Sequence, residues 1–247
     1  MNIAQYLDST YLKTPAQSGI SNEETLQKDK ELAQEAIDND IFAIMIRPDY
    51  VAEIKKYIRE KNSNVAVGTV IGFPEGTYSV DEKLAEASKA IEDGADELDF
   101  VINYNAYLQG NLELVKEEFV KGTQLGLQHQ KIVKWIIEIA ALTDAQIADL
   151  TRTISDWAEE SFAESDLPHI FVKSSTGFYE TTDGRPNGAT FEGIQIMLDN
   201  AGKLPVKAAG GVRTPDDAEK MIKMGVKRIG TSSALALIQD KNSSEGY

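Results

Sequence analysis

Pro205-Val206-Lys207-Ala208-Ala209-Gly210-Gly211-Val212-Arg213-Thr214-Pro215 is the stretch from which the fold can be read. Pro205 to Ala208 is a short strand-like run that carries a lysine near its end. Gly210-Gly211 marks a tight turn. Thr214-Pro215 is a helix start, a capping hydroxyl followed by proline at the first helical position. The helical pattern then runs from Pro215 to Met224, and Gly225 follows its end. Strand, glycine turn and helix make one unit.

The same unit recurs along the whole chain. Strands are expected at Tyr6–Leu7, Ile41–Ile46, Val65–Ile71, Glu97–Val101, Ile132–Ile137, Ile170–Lys173, Pro205–Ala208 and Arg228–Ile229. Helices are expected near Asn22–Asn39, Pro48–Asn62, Ser79–Asp93, Leu112–Gln128, Asp144–Glu160, Phe191–Ala201, Pro215–Met224 and Ser233–Gln239. Eight alternating units predict an α/β fold of the (β/α)8 TIM-barrel type, one domain over residues 1–247 with a polar tail at 241–247. A doubly wound open sheet is the competitor, but no GxGxxG fingerprint follows the first strand.

Composition narrows the function. The net charge of −15 disfavours phosphate backbones and anionic membranes, so neither nucleic acid nor membrane is an expected partner. There is no cysteine, which excludes disulfides, thiolate chemistry and cysteine-held metals. The two histidines, His129 and His169, lack metal-ligand spacing, so no metal is expected. No signal-peptide pattern opens the chain and no apolar run approaches a membrane span, which gives the expectation of a soluble, cytoplasmic protein.

A barrel places its chemistry at the carboxyl ends of its strands, and charged residues gather there. Lys173 ends the sixth strand in Phe171-Val172-Lys173-Ser174-Ser175-Thr176-Gly177, and Lys207 ends the seventh. Two ammonium groups aimed at one cavity repel, and loss of one proton relieves the cost of burying them. A neutral amine is a nucleophile toward carbonyl carbon. The residues alone do not say which lysine takes which role. Asp99, in Glu97-Leu98-Asp99-Phe100-Val101, alternates onto the face of Glu97 and Val101 and is positioned to balance lysines or move protons; a structural ion pair is the plain alternative. Lys134 has the same two readings, with electrostatic support of Asp99 favoured. Asp8 and Thr10 follow the expected first strand. Gly177, Gly210, Gly211, Gly230, Ser232 and Ser233 form turns after strands six to eight, where backbone N–H groups and hydroxyls suit a phosphate. Ser232 or Ser233 has the alternative of a simple helix cap.

These residues resemble those of the deoxyribose-phosphate aldolases, a class I aldolase family. The likeness is carried by Leu7-Asp8-Ser9-Thr10-Tyr11-Leu12-Lys13, Val70-Ile71-Gly72-Phe73-Pro74-Glu75-Gly76, Asp93-Gly94-Ala95-Asp96-Glu97-Leu98-Asp99 and Lys134-Trp135-Ile136-Ile137-Glu138. It continues through the two lysine segments and Arg228-Ile229-Gly230-Thr231-Ser232-Ser233. The resemblance implies that Lys173 is the Schiff-base lysine, Lys207 the lysine that keeps it deprotonated, and Asp99 the acid–base carboxylate. It implies reversible cleavage of 2-deoxy-D-ribose 5-phosphate to D-glyceraldehyde 3-phosphate and acetaldehyde in deoxyribonucleoside catabolism, with no cofactor. It also implies a role in proton transfer for a terminal tyrosine, here Tyr247, with a disordered chain end as the alternative. Barrels of this kind are often dimers, so a homodimer is the expected partner state. Three features depart from the family pattern. Met45 stands where many relatives carry cysteine, Ile139 where threonine is common, and the loop Phe178–Gly188, with Arg185, is long and polar. Another Schiff-base aldolase or transaldolase, and a non-catalytic sugar-phosphate-binding barrel, remain the competing readings.

Overall fold

The computed structural model describes residues 2–182 and 184–239. Within them eight parallel strands close on themselves in sequence order. They are β1 (Leu7–Thr10), β2 (Ala43–Ile46), β3 (Ala66–Ile71), β4 (Glu97–Val101), β5 (Ile132–Ile136), β6 (Ile170–Lys173), β7 (Val206–Ala209) and β8 (Arg228–Thr231). Each is followed by a helix that packs outside, so the expected (β/α)8 barrel is the fold.

The helices begin where the sequence supplies caps. Ser21, Ser79 and Thr143 each accept from the backbone N–H three residues on, and the glutamate or glutamine there returns a bond to the cap. Thr214 caps Pro215–Met224 and Gly225 ends it with a positive φ, as read. Two short helices, Pro15–Ser18 and Tyr104–Leu108, add to the expected set. Both lie in loops too short to show helical periodicity.

One strand differs from the expectation. The sequence pattern places the first at Tyr6–Leu7, with Asp8 and Thr10 beyond it; Leu7–Thr10 is the strand, and Tyr6 belongs to a preceding 3-10 turn. Asp-Ser-Thr carries no apolar signal. Pairing on both sides holds it extended, Asp8 lying opposite Ala43 of β2 and Gly230 of β8. The eighth strand likewise extends past Ile229 to Thr231, so Gly230 lies in a strand rather than a turn.

The apolar core lies between barrel and helices. Phe100 stacks on Trp135 with ring centroids 4.7 Å apart, and Phe119 tilts against Trp135 at 5.4 Å. These are the outward positions of β4 and β5, as alternation requires. The helix Leu112–Gln128 approaches this layer closely through Gly122 and Gly126. A Cβ on Gly126 would lie 2.2 Å from Val133 Cγ2. Close packing of this kind fixes the strand ends, and so the residues at the mouth.

The loops at the carboxyl ends are tied together as well. Lys83, buried, donates to Val101 O at 2.8 Å and to Glu118 Oε2 at 2.5 Å. Glu118 Oε1 accepts from Asn103 N at 2.5 Å. This ion pair anchors the exit of β4 just after Asp99. Burial presses Lys83 down and Glu118 up, toward their neutral forms, and their mutual attraction opposes both shifts.

Candidate active site

The barrel interior is filled largely by charge. Asp8, Glu97, Asp99, Lys134, Lys173, Lys207 and Arg228 are all buried inside it. At the base, the Arg228 guanidinium lies 4.0 Å from the Phe42 ring centroid. It donates to Asp8 Oδ1 from Nε at 2.7 Å and to Glu97 Oε1 from Nη1 at 2.8 Å. Lys134 Nζ bridges Glu97 Oε2 and Asp99 Oδ1, both at 2.7 Å. Lys207 Nζ reaches Asp8 Oδ2 at 2.5 Å and Asp99 Oδ2 at 2.7 Å. Lys173 Nζ meets the same Asp99 Oδ2 at 2.9 Å. Charges therefore alternate in sign from the base to the mouth, and Asp99 joins three lysines.

Strand register makes this possible. Asp99 pairs with Lys134 across β4–β5, and Lys173 with Lys207 across β6–β7, so inward side chains meet at matching heights. Gly230 in β8 eases the same crowding. Its absent Cβ would lie 3.3 Å from Lys207 Cε, so this glycine makes room for the lysine. Thr10 turns its hydroxyl back to Asp8 O at 2.9 Å and stays within β1. Met45 is buried in β2, its Sδ only 2.3 Å from the place a Cβ would take on Gly68, so it fills the space that glycine leaves in β3.

The electrostatics separate the two strand-end lysines. Burial pulls Lys173 down to about 8; Asp99 opposes the shift, and Lys207 and Lys134 reinforce it. Burial also acts on Lys207, but Asp8 and Asp99 outweigh it and its pKa rises above the ordinary lysine value. Asp99 stays well below the usual carboxylate range despite burial, because Lys134, Lys173 and Lys207 surround it. Burial would raise Asp8 too, yet Arg228 and Lys207 bring it to about 2. Three carboxylates thus face four bases. With all ionised the cluster has one positive charge in excess, and Lys173, at the mouth with one carboxylate partner, is the base that most readily gives up its proton.

The positions read as phosphate-binding are arranged around the mouth, with distinct local roles. Gly210 donates to Gly230 O at 3.2 Å, which joins the exits of β7 and β8, and its N–H is used there. The Ser233 N–H is also engaged, by Thr231 Oγ1 at 3.0 Å. Ser233 makes no side-chain cap, and the helix it precedes, Ala234–Ile238, has only 5 residues. Gly211 is exposed with φ 78°, and Ser232 is half-buried. Gly177 has φ 81°, and its carbonyl accepts from Asn187 Nδ2 at 2.9 Å. That bond and the packing of Gly188 on the Gly210 backbone tie the end of the long loop to the rim, and Thr181 Oγ1 donates to Arg185 O within the loop. Tyr247 and the tail lie outside the described residues.

Two residues without an assigned role complete the site. Arg228 was visible as a charge opening a strand, but its partners Asp8 and Glu97 are distant in sequence. Glu138 follows β5 with φ 56°, an uncommon conformation for a side chain other than glycine. Its Oε2 accepts from Thr176 N at 3.1 Å and from the Thr176 hydroxyl. Burial raises Glu138 to about 7, against the pull of Thr176 and Lys173.

A closed parallel barrel with two buried lysines and a carboxylate toward its carboxyl-end mouth defines a class, the (β/α)8 barrel enzymes. The comparisons with known proteins give the family. Residues 3–239 match the DeoC/LacD family aldolases. The chain is 39% identical to a deoxyribose-phosphate aldolase of Caldicellulosiruptor saccharolyticus, covering 96% of this chain and 97% of that one. It is 38% identical to one from Thermococcus kodakarensis, covering 96% of each. The solved deoxyribose phosphate aldolase of Aeropyrum pernix, described as tetrameric, superposes with a TM-score of 0.77 at 28% identity over 96% of this chain and 89% of that one. The chain belongs to the DeoC/LacD aldolase family and is an aldolase, a lyase. No helix among the described residues is long and apolar enough to cross a membrane.

Proposed function

We propose that the enzyme cleaves 2-deoxy-D-ribose 5-phosphate reversibly to D-glyceraldehyde 3-phosphate and acetaldehyde, through an imine on Lys173. The observation that carries this reading is the separation of the lysines. Lys173, at about 8, is neutral in a useful fraction near neutral pH, whereas Lys207 remains an ammonium.

The neutral Lys173 amine adds to the aldehyde carbon C1, and the carbinolamine takes up a proton and loses water to give an iminium, the proton being returned when the imine is hydrolysed. That cation is an electron sink. A proton leaves the C3 hydroxyl, the C2–C3 bond breaks, and its electron pair moves through C2–C1 to nitrogen as an enamine. Glyceraldehyde 3-phosphate departs. Protonation of the enamine at C2 and hydrolysis of the imine release acetaldehyde and restore the amine. Asp99, ionised and shared by Lys173 and Lys207, takes the hydroxyl proton through a water and passes it on; a carboxylate held so low relays a proton better than it stores one. Lys207 supplies the proton returned to carbon. Lys134 and Arg228 hold the carboxylates in place from below. Gly211 and Ser232 bind the phosphate at the β7 and β8 exits, helped by Gly177. The enzyme acts in deoxyribonucleoside catabolism in the cytoplasm.

Borohydride reduction in the presence of acetaldehyde, followed by peptide mapping, tests the reading. A stable adduct on Lys173, lost in Lys173→Ala, is the expected result. An adduct on Lys207 would reverse the two lysine roles, and no adduct on folded protein would remove imine catalysis altogether.

A further inference from the structure

Glu138 has one carboxylate oxygen that the fold leaves without a partner. The residue is 1% exposed, and Oε1 is buried with no hydrogen bond, while Oε2 takes both donors of Thr176. Leaving a buried carboxylate oxygen unpaired is costly. Glu138 nevertheless adopts a left-handed backbone that turns its side chain to the mouth, a cost that functional sites tend to retain. Two backbone bonds fix it beside the reacting lysine. Ile137 N donates to Lys173 O at 3.0 Å and Ile139 N to Ser174 O at 2.9 Å, on either side of Glu138. It lines a cavity of about 320 Å³ with Gln17, Tyr104, Thr176, Phe178 and Tyr179. Tyr104 and Tyr179 meet edge to face there, their centroids 6.2 Å apart.

The sugar phosphate has a matching unassigned group. On the reading above, C1 is bonded to Lys173, the C3 oxygen answers to Asp99, and the phosphate to the β7 and β8 exits. The C4 hydroxyl has no partner. We propose that Glu138 accepts a hydrogen bond from this hydroxyl through Oε1, and so selects aldehyde acceptors that carry a hydroxyl next to the carbonyl. The inference rests on the aldolase reading of the same site. Thr176 is then a positioning residue, which fixes Oε2 so that Oε1 faces the substrate.

The test is acceptor selectivity in the direction of synthesis, with acetaldehyde as donor. D-Glyceraldehyde 3-phosphate is compared with 3-oxopropyl phosphate, which lacks only the hydroxyl. The wild type should prefer the hydroxylated acceptor in kcat/KM by about tenfold or more, the scale of one charge-assisted hydrogen bond. In Glu138→Gln, which retains an acceptor for Thr176, that ratio should fall severalfold, while acetaldehyde is still trapped on Lys173. A merely structural role would lower both acceptors together and leave the ratio unchanged, which overturns the proposal. Absence of a preference in the wild type overturns it without any variant, and so serves even if Glu138→Gln does not fold. Failure of wild-type trapping is a separate result: it removes the aldolase reading, and this proposal with it.

Discussion

Replacing Lys207 with methionine should move the pKa of Lys173, and the charge count sets the scale. Four bases and three carboxylates share the interior, so one base is favoured to be neutral. Lys207→Met leaves three bases for three carboxylates, and Lys173 can then keep its proton as the partner of Asp99. The wild-type amine is held at about 8 against an ordinary 10.5. At pH 7 the neutral fraction is about one tenth for the first value and roughly one in three thousand for the second. The largest possible loss of reactive amine is therefore about 300-fold, or ~3 kcal/mol. The full loss will not be reached, because burial, the first cause of the shift, remains. The acid limb should still move up by about one unit or more. The assay is the initial rate of cyanoborohydride-trapped imine formation with acetaldehyde, measured from pH 6 to 10 on protein shown to be folded. An acid limb still near the wild-type value would refute the claim that Lys207 keeps Lys173 deprotonated.

Other consequences are as direct. Arg228→Met removes the counter-charge of Asp8 and Glu97 at the base of the barrel, and should destabilise the fold by about 3–5 kcal/mol in chemical denaturation. Asp29 is buried with neither carboxylate oxygen hydrogen-bonded, and burial raises it from 3.8 to about 8. The native state therefore holds a proton that the unfolded chain releases, so stability falls as pH rises from about 4 to about 8 and is level above. Asp29→Asn lacks that fall, and its melting temperature should gain on the wild type between pH 5 and pH 8. Because the iminium is itself the electron sink, turnover should be unchanged after exhaustive EDTA treatment; loss of activity restored by a divalent cation would contradict the proposed chemistry.

Much of the frame was legible in the sequence. Five of the expected strands, the third through seventh, lie within a residue of their observed ends, because each combines a β-branched or apolar run with a clear turn or cap. The first strand was displaced because Asp8-Ser9-Thr10 has no apolar periodicity, and only pairing with β2 and β8 makes it extended. Local sequence makes Gly230 a turn residue by a phosphate, whereas its place in β8 makes room for Lys207. The proximity of Arg228 to Asp8 spans 220 positions, and no local pattern records it.

The sequence by itself determined the alternation of strands and helices, hence the barrel, and put Lys173, Lys207 and Asp99 on the strands that lead to its mouth. These follow from local chemistry: side-chain periodicity, caps, and the conformational freedom of glycine. Residue chemistry along the chain leaves the two lysines equivalent, and the charges gathered by the tertiary structure make Lys173 the weaker base. That difference comes from Asp8, which supports Lys207 and does not reach Lys173, and from the single Asp99 oxygen that both lysines share. A pKa inside a barrel is the sum of burial and of charges brought near by closure, and closure joins residues from opposite ends of the chain.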